Sequence, residues 1–215
     1  MANTMQSIDL NSYTHVAPEN QGILRQGDDA SAYRGSNAAN NVNEMLYLDY
    51  GLSYFGKLPS GDAAFLFTFS FMNYYDGEGD YLIWAVSNGI ANPGSWTPGL
   101  SEALYLKGSG KNTLTLGNAF SFSEDSWSGL QPEVRYWCSV YRNPDAIPSN
   151  PDWLYCDIYG SAARTDALAQ LSINVDNTSY HRHHLSGATW NNGASAWGRW
   201  GIIEQELGKN TDWPY

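Results

Sequence analysis

The chain has 215 residues and a formal net charge of −11, with 22 acidic side chains against 11 basic ones. That balance argues against a nucleic-acid ligand and against an anionic membrane surface, because binding to either rests on neutralising negative charge. No run reaches the ~18 consecutive apolar residues of a membrane span. The opening MANTMQSIDLNSYTH has neither the basic start nor the apolar stretch of a secretory leader, so none is expected.

Residues 1–44 are rich in Asn, Ala, Ser, Asp and Gln and show little periodicity. They read as an extended N-terminal arm, either loose or ordered against a neighbouring subunit. Residues 45–215 read as one all-β domain. The chain holds 9 Trp, 15 Tyr and 7 Phe, which suit pleated surfaces, and 21 Gly, which suit the turns between them. MLYLDYGLSYF is the first strand signal. AAFLFTFSFMNYY is the clearest, with Phe65, Phe67, Phe69 and Phe71 on one face and Leu66, Thr68, Ser70 and Met72 on the other. DGEGD then reads as a turn into YLIWAVSN, which makes a hairpin. ALYLKGSG and NTLTLGN form a second hairpin around Gly108 to Lys111. FSFSEDSWSGLQP reads as a loop.

VRYWCSVYR and LYCDIYG form a third hairpin across the proline-rich NPDAIPSNPD. Tyr136, Cys138 and Val140 share a face with Val134, as do Leu154, Cys156 and Ile158. A loop symmetric about residue 147 sets Cys138 opposite Cys156, both inward, as two free buried thiols or a cross-strand disulfide. ARTDALAQL has room for a single helical turn before LAQLSINVD. HHLSGATW and WGRWGIIEQEL complete about ten strands. The expected architecture is a two-sheet antiparallel β-sandwich, a jelly roll.

Three segments resemble the concanavalin A-like lectin/glucanase sandwich and its laminin-G-like branch. They are AAFLFTFSFMNYYDGEGDYLIWAVSN, the pair VRYWCSVYR and WLYCDIYGSA, and GATWNNGASAWGRWGIIEQEL. The resemblance covers roughly residues 45–207 and implies the fold, whereas function must come from a site. The polar arm and the Asn/Gly/aromatic composition also resemble phage decoration and fibre proteins. On that resemblance the expected function is a non-enzymatic structural protein at a virion surface, a homo-oligomer such as a trimer, with capsid or tail proteins as partners. A carbohydrate-binding module that contacts a cell-surface glycan is the alternative, and a polysaccharide hydrolase or lyase comes third.

Candidate sites follow. Glycosidases of this fold need two flanking carboxylates. In the stretch Pro132, Glu133, Val134, Arg135, Tyr136, Trp137, which resembles a xylanase nucleophile segment, the carboxylate position holds Arg135. No catalytic residue is therefore assigned. Glu204 and Glu206 lie ~7 Å apart on one face of the last strand, and read as solvated. Trp96, Trp127, Trp190 and Trp197 lie in or beside polar loops, where an indole either stacks on a sugar, anchors a partner or folds back on its own loop. Asp76, Glu78 and Asp80 alternate in DGEGD, so calcium is the one cofactor left open, against a polar turn. His181 and His183 would share a strand face, as a metal pair or as part of a solvated turn with His184.

Overall fold

A computed structural model describes residues 6–7, 14–16, 23–25, 32–35, 45–49, 65–73, 80–88, 103–110, 112–119, 121–143, 152–175, 180, 182–186, 189–190 and 203–210. The first strands are β1 (Gln6–Ser7), β2 (Thr14–Val16), β3 (Ile23–Arg25), β4 (Ala32–Gly35) and β5 (Met45–Asp49). Next come β6 (Phe65–Asn73), β7 (Asp80–Ser87), β8 (Ala103–Ser109), β9 (Thr113–Asn118) and β10 (Ser123–Trp127). The chain continues with β11 (Arg135–Asn143), β12 (Asp152–Tyr159) and β13 (Ala167–Val175). The last are β14 (Arg182–Ser186), β15 (Thr189–Trp190) and β16 (Ile203–Asn210). No helix among the described residues is long and apolar enough to cross a membrane.

The strands form two antiparallel sheets. The first runs β13-β12-β11-β6-β16-β4-β3, with β1 also on β16; the second runs β10-β9-β8-β7-β14-β5-β2, with β15 also on β7. This is the expected all-β sandwich. Within residues 1–44, β1, β3 and β4 pair into the first sheet and β2 into the second. The last strand, β16, lies in mid-sheet between β6 and β4.

Period-two alternation builds the core. The first sheet contributes Phe67, Phe69, Phe71, Tyr136, Cys138, Val140, Leu154, Cys156 and Ile158, all buried. Trp84, Val86, Leu104, Leu106, Leu114 and Leu116 meet them from the second sheet. Burying apolar area of this kind yields ~25 cal/mol per Å².

Several expectations change. β6 and β7 are not a hairpin, because they lie in opposite sheets. Their inward residues face one another across the core: Phe67 meets Trp84 edge-on at 5.4 Å between centroids. Alternation alone cannot distinguish strands that pair side by side from strands that pack face to face. SEDSW, read as loop, is the edge strand β10. The segment offered a helical turn is instead extended as β13, with Leu171, Ile173 and Val175 inward. Arg164 closes the turn before it, with its amide donating to the Ser161 carbonyl at a φ of 51°.

The hairpin of β8 and β9 forms as expected, turning at Gly110, whose φ is 61°. So does that of β11 and β12, but in a register shifted by two. Cys138 pairs with Ile158 and Val140 with Cys156. A shift of two keeps every inward residue inward. The thiols are free and buried. The hydrogen bond that the Cys156 thiol donates to Cys138, then burial, holds Cys156 well above its ordinary value.

Candidate functional site

The outer face of the second sheet gathers polar groups from three central strands. In β5, Leu48 packs on the core, so Tyr47 and Asp49 take the other face. In β14, His183 stacks on Phe67 at 4.5 Å inside the core, which turns Arg182 and His184 outward. The bulge between Leu82 and Trp84 resets β7, so that Trp84 and Val86 face the core and Ala85 and Ser87 face out.

The outward residues meet. His184 Nε2 lies 2.6 Å from Ser87 Oγ. The Tyr47 and His184 rings are 6.1 Å apart. Arg182 reaches Asp49 at 2.9 Å and donates to the Asn88 carbonyl. His184 and Ser87 are buried, while Tyr47 is partly exposed. An imidazole and a phenol can exchange protons, and a guanidinium on the same face can meet an anion.

This cluster replaces the expectation for the histidines. His183 and His184 belong to no solvated turn; both are buried, on opposite faces of β14. His181 lies outside the described residues. Trp127 is half-buried, edge-on to Tyr136 at 5.6 Å and packed over Gly129. Trp190 is a strand position in register with Asp80. Trp96, Trp197, Asp76 and Glu78 lie outside the described residues. Among the described residues no group of three or more His, Cys, Asp or Glu could hold a metal. Glu204 and Glu206 pair with Met72 and Ser70 in mid-sheet, and Arg135 donates to Ser70 at 3.0 Å. Tyr47, Ser87 and Arg182 escaped the sequence reading. Their signal was the polar phase of MLYLD, YLIWAVS and RHHLS, which shows only once the inward residues are known.

The outer face of the first sheet differs in character. Tyr141 stacks on Tyr155 at 5.1 Å, and Trp153 on Tyr155 at 6.2 Å. Gln170 donates to Asp157 at 2.7 Å, and the Tyr159 hydroxyl also donates to Asp157. Burial, then the Asp157 charge, pushes the Tyr141 phenol up to about 12 from its usual 10.0. The folded chain thus keeps a proton that the unfolded chain loses near pH 10. The resulting stability is complete below that pH and is lost as pH rises toward 12. Thermal melts between pH 9 and 12 should show Tm falling over roughly that window. Tyr141→Phe should flatten the fall, and an equally steep fall in the variant would refute this origin.

No family model matches the chain, and no curated protein matches it. Solved structures do. Alginate lyase Aly36B superposes with a TM-score of 0.57 at 10% identity, covering 97% of each chain. The endo-β-1,4-glucuronan lyase of the fungus Trichoderma reesei gives 0.56 at 10% identity over 98% of this chain and 96% of that one. Arcelin-5, a lectin-like defence protein of Phaseolus vulgaris, gives 0.51 at 9% identity over 92% and 98%. These likenesses establish the fold, a jelly-roll sandwich. They overturn the non-enzymatic virion reading, because two of these three neighbours are polysaccharide lyases, one of them also solved with an alginate trisaccharide bound. Arg135 at the carboxylate position rules out a glycosidase pair there, whereas elimination chemistry uses other groups.

Proposed function

We propose that the chain is a polysaccharide lyase acting on an acidic, uronate-containing polymer. The observation that carries this reading is the convergence of Tyr47, His184 and Arg182 on one sheet face. In a β-elimination a base takes the proton from the carbon beside the uronate carboxylate. That electron pair forms a carbon–carbon double bond, the bond to the glycosidic oxygen breaks, and an acid protonates the departing oxygen. Arg182 meets the carboxylate and, by drawing off its charge, acidifies the neighbouring proton. Tyr47, partly exposed, exchanges protons with the sugar, and His184 behind it orients the phenol.

The neighbours' substrates supply the probes. The full chain is incubated with alginate and with β-1,4-glucuronan, and ultraviolet absorbance of the unsaturated product is followed. Growth of that signal is expected. No product from either polymer, or from other uronate polymers, would refute the proposal. The Tyr105 ring on the same face favours a second reading, a lectin-like module. It predicts saturable glycan binding with no unsaturated product.

A further inference from the structure

The row of residues that holds His184 continues across the second sheet. In register, Tyr47 faces His184, His184 faces Ala85, Ala85 faces Tyr105, Tyr105 faces Gly117, and Gly117 faces Glu124. Tyr105 is two strands from His184, a span of ~10 Å at the usual strand spacing. Only Ala85 lies between them, so no large side chain interrupts the row.

Tyr105 lies over Gly117. A Cβ at Gly117 would fall 2.3 Å from the ring carbon that bears the hydroxyl. A glycine with no side chain is what lets the ring settle onto the strand. Around it, the Tyr105 hydroxyl donates to Glu124 at 2.5 Å, and Lys107 Nζ pairs with Glu124 at 3.0 Å. The ammonium stands 5.6 Å from the ring centroid. The ring is thus fixed at its hydroxyl by a carboxylate and flanked by a cation, and it remains partly exposed. A flat aromatic surface bordered by an ammonium and a carboxylate suits one pyranose ring. The C–H face rests on the phenol, and the hydroxyls bond to Lys107 and Glu124.

We infer that Tyr105, seated on Gly117 and flanked by Lys107 and Glu124, forms a sugar subsite for the same polymer whose uronate reaches Tyr47. This inference rests on the lyase reading for the identity of the polymer. The subsite itself needs no turnover. It holds the chain three strands, roughly 14 Å, from Tyr47.

Binding of alginate and glucuronan hexasaccharides is measured by calorimetry, alongside turnover, on the full chain. Tyr105→Ala should weaken binding by about tenfold or more. Gly117→Ala should weaken it too, by lifting the ring, and circular dichroism reports whether each variant is folded. Tyr105→Phe keeps the surface and should retain most of the affinity. Tyr141→Ala, on the opposite face, should leave it unchanged. A wild-type chain that binds while Tyr105→Ala binds equally well overturns the subsite and leaves the lyase reading standing. Binding that depends on Tyr105 without any turnover supports the subsite and refutes the lyase reading. No binding of either hexasaccharide by the wild-type chain overturns the subsite.

Discussion

Tyr47→Phe is expected to lower kcat/KM on a uronate polymer by about 10²–10⁴-fold, the usual contribution of a positioned acid or base. The substitution removes one oxygen and keeps the ring that packs 6.1 Å from His184. KM should change little, because the hydroxyl acts on the transition state and not on the bound chain. His184→Gln tests the positioning role from behind. Its side chain can still bond Ser87, which His184 contacts at 2.6 Å, but it has no ring to set against the phenol. The expected result is a partial loss in kcat with little change in KM. Wild-type kcat in both variants would remove these residues from the chemistry, even if the chain proved to be a lyase.

Phe67→Ala should cost about 3–5 kcal/mol of folding stability, the range for truncating a buried aromatic residue. Phe67 is fully buried, edge-on to Trp84 and stacked on His183. It is therefore where β6 of one sheet meets β7 and β14 of the other. Domains of this kind hold ~5–15 kcal/mol in total, so the loss is a large share. Urea titration should show a lower midpoint with an unchanged slope. Phe67→Leu should cost clearly less. Phe67→Ala should also disturb activity, because His183 holds the strand on which His184 sits. A loss below about 1 kcal/mol would mean that the cavity collapses or fills, contrary to the packing described.

The sandwich and most of its faces were legible in the chain. The phase of Phe67, Phe69 and Phe71, and of Tyr136, Cys138 and Val140, is set by a local rule that a strand cannot evade. Pairing was less legible, since β6 and β7 satisfy the same alternation whether they are neighbours in a sheet or opposed across the core. The two-residue register error at Cys138 has the same origin. The candidate site was least legible. Tyr47, Ser87, Arg182 and His184 are separated by up to 137 positions along the chain, and no spacing motif joins them. Sequence drew attention to YHRHH, but as a solvated turn or a metal pair. Only the stacking of His183 on Phe67 reveals which histidine faces the site.

The placement of β16 has a consequence for how the molecule assembles. Residues 203–210 insert between β6 and β4 and make the contact that unites residues 65–73 with residues 32–35. During synthesis the middle of the first sheet therefore stands open while residues 74–202 are made. Its unpaired edges, including the phenylalanine strand, are exposed to solvent for that interval. Such non-local closure makes for slow folding and a window in which chains can pair with one another. Yield on expression should thus respond to chaperone supply and lowered temperature more strongly than the stability of the finished sandwich would suggest.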